Sequence, residues 1–261
     1  MPAKVRLNKY LRDCQLGSRR RCEELITDGL VTLNGTRVEQ LATLVDPDND
    51  RVEVSGKPVR PFEETIYVAA YKPRGVVVTA SDPRGRATLL DGVQGLPGKV
   101  FSVGRLDMDS EGLIILTNDG KLAFRLAHPR YEIERVYEVR VKSEVGEDLV
   151  RGLRAGVELE EGVVRPRAVT LLRANERGST LRLTLTEGKK REIRRMIAAC
   201  GYEVARLKRV RFGTLALGDL APGQWRYLTR DEVRSLRRLV QEAYEARLGE
   251  ERPGKRSGRG R

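Results

Sequence analysis

The chain has 261 residues, with 50 Lys and Arg against 37 Asp and Glu, a formal charge of +13 and a pI near 10.0. That length permits one large domain or two ordinary ones without disulfide staples, and the basic surface suits a polyanionic partner. No apolar run approaches the ~18 residues of a membrane span, which excludes an integral membrane reading. Met1 to Leu11 mixes charged and apolar residues without an apolar signal core, so a cytoplasmic location is expected. Cys14, Cys22 and Cys200 form no Cys-x-x-Cys pair and the single histidine, His128, is remote from them in sequence, so no metal site is expected. A Ser-His or Cys-His nucleophile is equally disfavoured, which leaves catalysis to carboxylates, Tyr, Lys or Arg.

In chain order, Leu7, Tyr10, Leu11 and Cys14 recur at helical spacing and predict a short first helix. Ser18 caps a second helix that runs to Asp28 and is closed by Gly29, with Leu25 and Ile26 as its buried stripe. Arg19, Arg20 and Arg21 therefore occupy its first turn, where each cation opposes the helix dipole by a few tenths to ~1 kcal/mol. An anion at that helix start would meet free backbone N–H groups and three guanidinium groups together, although a solvated basic face accounts for the same pattern. Val31 to Val38 reads as a hairpin around Asn34-Gly35, Asp46 to Asp50 as a turn and Asp50 to Val54 as a strand. The turn fails as a calcium loop, because its sixth position is Arg51 and its twelfth Lys57.

Ser55 to Pro61 is rich in Pro and Gly and is the best linker candidate, which sets boundaries at residues 1–57 for a small module, 58–64 for a linker and 65–230 for a larger domain. Beyond it come short β-rich runs: Ile66 to Tyr71, Val76 to Thr79, Leu113 to Thr117, Val136 to Val141, Ala168 to Leu172 and Leu181 to Thr186. They do not alternate regularly with helices and no phosphate-binding glycine loop is present, so the expected fold class is α+β on a mainly antiparallel sheet. Thr229-Arg-Asp-Glu232 is a capping box that opens a last helix over residues 229–249, with Val233, Leu236, Val240 and Tyr244 on one face. Residues 250–261 read as a disordered basic tail. Two segments hold most of the net charge: Thr186 to Arg211 carries +6 and Arg252 to Arg261 carries +5.

The densest carboxylate segment is Gly104-Arg-Leu-Asp-Met-Asp-Ser-Glu-Gly-Leu113. By composition, Asp107, Asp109 and Glu111 fit a solvated acidic loop, a Mg²⁺ site for phosphodiester chemistry, or a carboxylate used covalently or as acid and base. Downstream, Ile193, Met196, Ile197 and Cys200 make a helical apolar stripe, with Arg191, Arg194 and Arg195 largely off it.

Two resemblances sharpen this reading. Arg6-Leu-Asn-Lys-Tyr-Leu11 and Gly29-Leu-Val-Thr-Leu-Asn-Gly-Thr-Arg-Val38 resemble the alpha-L RNA-binding domain, found also in a small-subunit ribosomal protein and in tyrosyl-tRNA synthetases. That likeness implies that Arg19, Arg20 and Arg21 face RNA. Gly104 to Leu113 followed by Thr117-Asn-Asp-Gly120 resembles the signature of pseudouridine synthases, in particular the RsuA/RluB branch that modifies ribosomal RNA. Tyr71-Lys-Pro-Arg-Gly-Val76 with Asp82-Pro83, Arg135-Val-Tyr-Glu-Val139, Glu187 to Arg195 and Leu217 to Leu228 match that branch in order.

The resemblance implies an isomerase that detaches uracil at N1, turns it and rejoins it through C5, with no cofactor, no metal and no nucleotide. It makes Asp107 the catalytic carboxylate, acting on the sugar or on the base. It makes Arg194 the arginine that pairs with that carboxylate, and Tyr137 the tyrosine that stacks on the target base. Arg105 would fill the gap left by the extruded uridine, with Ile193, Lys189, Lys190 and Arg191 lining the RNA side. Glu192 stands where many relatives have Gln. The implied partner is ribosomal RNA or a pre-ribosomal particle, met by a monomer without a membrane. The implied target is 23S rRNA, with 16S rRNA, or an assembly factor without chemistry, as alternatives.

Overall fold

The computed structural model describes residues 4–80 and 82–250. Two compact units are present. The first comprises the described residues up to Ile66 together with Gly95–Val100, and the second comprises Tyr67–Gln94 and the described residues from Phe101 onward. The basic tail expected at 252–261 lies outside the described residues.

The first unit runs β1 (Val5–Arg6), α1 (Leu7–Asp13), α2 (Arg19–Thr27), β2 (Val31–Leu33), β3 (Thr36–Arg37), β4 (Leu44–Val45), β5 (Val52–Val54) and β6 (Lys57–Pro58). Leu7, Tyr10 and Leu11 of α1 pack on Cys22 and Ile26 of α2 and on Val31, Val45 and Val52, all essentially buried. Ser18 caps α2 by accepting from the Arg21 N–H at 3.2 Å. Asn34 and Gly35, at φ 52° and 81°, close the β2–β3 hairpin as the Asn-Gly pair predicts. Ser55 and Gly56, within the segment read as a linker, also take positive φ, and the chain turns there into a second hairpin, β5–β6.

The second unit contains β7 (Tyr67–Lys72), β8 (Phe101–Ser102), β9 (Glu111–Thr117), α3 (Gly120–Ala127), β10 (Arg135–Val141), α4 (Glu147–Ala155), β11 (Val157–Leu159), β12 (Gly162–Val164), β13 (Ala168–Asn175), β14 (Gly178–Leu185), α5 (Glu192–Ala199), β15 (Val204–Phe212), β16 (Leu215–Ala216), β17 (Trp225–Tyr227) and α6 (Arg230–Glu250). Its principal sheet, in the order β13-β14-β10-β15-β9-β7-β17, is antiparallel except where β15 meets β9. The α+β expectation therefore holds, and the parallel contact sits at its centre. All seven residues of β9 are buried, as suits a strand covered on both faces. On one face Leu113 and Ile115 pack with Leu122 and Leu126 of α3 and with Leu236 and Val240 of α6.

Three sequence expectations change. Val76 to Thr79 forms no strand, only a single bridge between Val77 and Thr88, because Gly75 at φ 84° turns the chain just before it. β15 is a nine-residue strand that the sequence reading did not include, since four of its residues are Lys or Arg. Helices α3 and α4 were likewise absent from that reading. The capping box of α6 is realised in both directions, Thr229 N–H to Glu232 at 2.8 Å and Glu232 N–H to the Thr229 hydroxyl at 3.2 Å.

Candidate active site

The loop between β8 and β9 carries Arg105, Asp107 and Asp109, and α5 faces it. Asp107 is half-buried, and its carboxylate has no hydrogen bond or ion pair among the described residues. Its backbone carbonyl accepts the Ser110 N–H at 3.0 Å, which closes a tight turn over Met108 and Asp109. Met108 projects outward at the tip of that turn. Arg105 is exposed.

The arginine expected to pair with Asp107 pairs instead with Asp109. Arg194 Nε lies 3.2 Å from Asp109 Oδ2, its Nη2 donates to the Asp109 carbonyl at 3.0 Å and its Nη1 to the Val204 carbonyl at 3.3 Å. Arg191 adds a bidentate clasp on Asp109 at 3.0 and 2.9 Å. Burial pushes the Asp109 carboxyl up, yet the Arg191 hydrogen bonds and the charges of Arg194 and Arg191 outweigh it and hold the group below its usual value. Arg191 reaches Asp109 from a left-handed backbone at φ 52°, a strained conformation for a side chain with a Cβ. Asp107 stays within the electrostatic reach of Arg191, Arg194 and Lys72 without contacting any of them.

Three carboxylates spaced two apart in sequence thus diverge in space. Asp107 is open, Asp109 is clasped from α5, and Glu111 turns inward. Glu111 accepts from the Tyr71 hydroxyl at 2.9 Å and from both Nε and Nη2 of Arg206. Burial raises the Glu111 carboxyl, and the Arg206 and Tyr71 hydrogen bonds more than reverse that shift. With Asp109 and Glu111 committed to guanidinium groups, the segment does not converge on one point as a Mg²⁺ site would require.

Lys72 fixes the loop from below. It is fully buried at the end of β7, and its ammonium donates to the carbonyls of Ser110, Pro73 and Met108 at 2.5, 2.9 and 3.2 Å. Burial drives its pKa down to about 8 against the pull of Asp109, Glu111 and Asp107. Lys72→Met would leave three carbonyls without a donor and loosen the turn that carries Asp107. The expected result is a loss in kcat of roughly 10²-fold, the scale of a ~1 Å misplacement, together with a lower Tm; a steady-state assay and a thermal melt check it.

Tyr137 is 8 % exposed on β10, across β15 from Gly112, which puts its backbone about 10 Å from the start of β9 at two strand spacings. Two residues before it, Arg135 is buried and donates to the carbonyls of Thr186, Leu126 and Ala127 at 3.1, 3.0 and 3.1 Å. Arg209 is fully buried on β15, donates to the Leu113 carbonyl at 2.7 Å and shares the Phe212 ring with Arg135. These two arginines make a cationic floor beside Tyr137.

Ile193 is 4 % exposed and seats α5 on the sheet with Met196 and Ile197, so it has little surface to offer RNA. Lys189 and Lys190 lie in the exposed stretch before α5. Arg19, Arg20 and Arg21 are exposed in the first unit, with Arg21 on Glu24 at 2.7 Å. The reading from sequence assigned no role to Lys72, Arg206 and Arg209, and named Glu111 only as one of three carboxylates in an acidic segment. Lys72 had one available signal: a lysine that ends an otherwise apolar strand.

Glu192 is 4 % exposed at the first position of α5 and accepts the Lys189 N–H at 3.2 Å. Burial, and then the charge of Glu187, push its carboxyl up to about 7. A carboxyl whose folded pKa lies above its ordinary 4.5 is neutral in both states at low pH, so its ionisation cost is absent there. That cost grows as pH rises from about 4.5 to 7 and is complete above. Glu192→Gln should therefore raise Tm near pH 8 by roughly 5 °C, for a relief on the order of 2 kcal/mol, and leave it unchanged near pH 4. Melts across that pH range decide it.

Residues 66–199 match the family described as RNA pseudouridylate synthase, and residues 5–52 match the S4 domain. The chain belongs to the RNA pseudouridylate synthase family and is an RNA pseudouridine synthase, an isomerase. It is 40 % identical to an uncharacterized RNA pseudouridine synthase of Aquifex aeolicus (strain VF5), over 90 % of this chain and 95 % of the relative. It is 41 % identical to ribosomal large subunit pseudouridine synthase B of Bacillus subtilis (strain 168), over 90 % of this chain and 96 % of that one. A crystal structure of a pseudouridylate synthase superposes with a TM-score of 0.63 at 28 % identity, covering 89 % of this chain and 99 % of the other.

Proposed function

We propose that this protein isomerises a specific uridine of large-subunit 23S ribosomal RNA, with Asp107 as the catalytic carboxylate. The observation that carries the target is the 41 % identity, over nearly the full length of both chains, to the Bacillus large-subunit enzyme. The site supports the chemistry. Asp107 is the one carboxylate of its loop left unpaired among the described residues, and Lys72, Arg191 and Arg194 lie within its electrostatic reach.

An ionised carboxylate can attack the sugar or take a proton from the base, and either role needs the bare oxygens that Asp107 presents. Arg194 acts here as a positioning residue, because it grips the backbone and side chain of Asp109 and so fixes the turn. Tyr137 supplies a ring for the target base above the Arg135–Arg209 floor. Arg105 takes the space of the extruded uridine, whose unstacking costs a few kcal/mol. Lys189, Lys190 and Arg191, and in the first unit Arg19, Arg20 and Arg21, hold phosphates, so RNA binding falls steeply with salt.

The test is tritium release from 23S and 16S transcripts made with [5-³H]uridine, followed by mapping of the pseudouridine. Release from 23S alone supports the assignment. Release from 16S alone moves the target to the small subunit, and no release from either transcript or from assembling particles overturns the proposal.

A further inference from the structure

α3 presents an aromatic and cationic surface that the chemistry above does not use. One face of the helix, Leu122, Ala123 and Leu126, is buried in the core. The opposite face carries Lys121, Phe124 and His128 at i, i+3 and i+7, where an amphipathic helix ordinarily places only polar groups. Phe124 is 48 % exposed. Its ring centroid lies 5.0 Å from that of His128 and 6.1 Å from that of Tyr131, and His128 and Tyr131 are 6.3 Å apart. The Arg130 guanidinium sits 5.1 Å from the Phe124 centroid and 4.8 Å from that of Tyr131, and donates to the Tyr131 hydroxyl at 2.6 Å.

This cluster is held in shape before any ligand arrives. His128 Nδ1 accepts the Arg130 N–H at 3.2 Å and caps the 3₁₀ turn Pro129–Tyr131, so the imidazole is pinned by the backbone. Arg125, on the adjoining flank, lies over Tyr244 at 4.3 Å. Between residues 120 and 133 the chain has three cations, Lys121, Arg125 and Arg130, and one acid, Glu132. Exposed rings interleaved with cations fit a nucleobase with its phosphate, whereas an apolar protein surface would leave those charges desolvated and unpaired. The location fits RNA as well. The last carbonyls of α3, from Leu126 and Ala127, accept the Arg135 guanidinium, and Arg135 is two residues from Tyr137 on β10.

We propose that Phe124, His128 and Arg130 form a stacking platform for an unpaired nucleotide that flanks the target uridine, with Arg130 and Lys121 on its phosphates. This rests on the reading of the site as an rRNA uridine isomerase and extends it to the RNA form that is recognised. A base inside a duplex cannot present its face to a ring, so the platform selects single-stranded or locally opened RNA.

The chain has a single tryptophan, Trp225, so the doubly substituted Trp225→Phe, Phe124→Trp protein carries one indole, at the platform. Its emission should be quenched saturably by single-stranded r(A)₁₂ and left unchanged by the same strand paired with r(U)₁₂. Phe124→Leu, which keeps an apolar side chain of similar volume, should bind a 23S transcript about tenfold more weakly, the lower range of a lost base–aromatic stack. It should raise KM by a similar factor, with kcat and Tm near wild type. Absence of quenching, or wild-type KM and affinity in Phe124→Leu, overturns the platform while leaving the isomerase assignment intact. Quenching without tritium release from any rRNA overturns the assignment and leaves the platform standing. A fall in Tm that accounts for the lost affinity overturns the platform by making Phe124 a packing residue.

Discussion

Asp107→Asn is expected to lower tritium release by roughly 10⁴-fold or more, the scale seen when a reacting carboxylate or nucleophile is removed, with almost no change in stability or RNA affinity. The reasoning is geometric. Asparagine has the same shape, and the Asp107 carboxylate makes no hydrogen bond or ion pair among the described residues, so no partner is stranded when its charge is lost. Tm should stay within about 1 °C. Asp109→Asn is the informative contrast, because Asp109 holds Arg191 and Arg194 together. Its loss should lower Tm and kcat in parallel, which separates a reacting group from one that organises the loop. Turnover by the Asp107→Asn protein within tenfold of wild type would remove Asp107 from the chemistry.

Gly112→Ala is expected to be the most damaging single change for the fold, at about 3–5 kcal/mol and a fall of roughly 10 °C in Tm. Gly112 has φ 104°, a conformation that side chains rarely adopt. A Cβ there would be driven into the Arg209 carbonyl and within 2.7 Å of the Arg209 nitrogen, both of them backbone atoms with no rotamer to escape into. Gly112 and Glu111 also form the short parallel pairing with Arg209 and Lys208 that joins the two halves of the sheet. Strain at this point would shift Tyr137, on the far side of β15, relative to Asp107, so kcat should fall even below the melting transition. Thermal melts and single-turnover rates on the purified variant test both effects. A Tm within 2 °C of wild type would show that β9 and β15 can separate without penalty.

Local elements were legible wherever capping and turn chemistry speak in short range. The Ser18 cap of α2, the Asn34-Gly35 hairpin and the Thr229–Glu232 box appear as expected because each depends on residues no more than a few positions apart. The Asp107 loop was found through its likeness to a known family, since composition alone fits a solvated acidic loop equally well. β15 was missed because Arg206, Lys208, Arg209 and Arg211 mask its alternation, and their charges are accommodated only by groups brought from elsewhere, such as Glu111 and Glu134. The pairing expected between Arg194 and Asp107 proved to be with Asp109, two residues away: in an extended loop that spacing looks trivial, yet it decides which carboxylate is held and which is left open.

The sequence by itself determined the basic character of the chain, its α+β class and, through ordered motifs, its membership of the RNA pseudouridylate synthase family. Those properties reside in composition, in short-range periodicity and in residue strings that need no neighbours to be read. Tertiary structure alone decided the state of each charge. Lys72 is a clamp because three carbonyls converge on it, Asp109 is bound because Arg191 at the N-cap of α5 and Arg194 within it present two guanidinium groups, and Asp107 is bare because no group among the described residues bonds to its carboxylate. Desolvation and pairing depend on what the fold places within a few ångströms, and apart from Pro73, next to Lys72, the residues that do so here lie 36 to 85 positions apart along the chain.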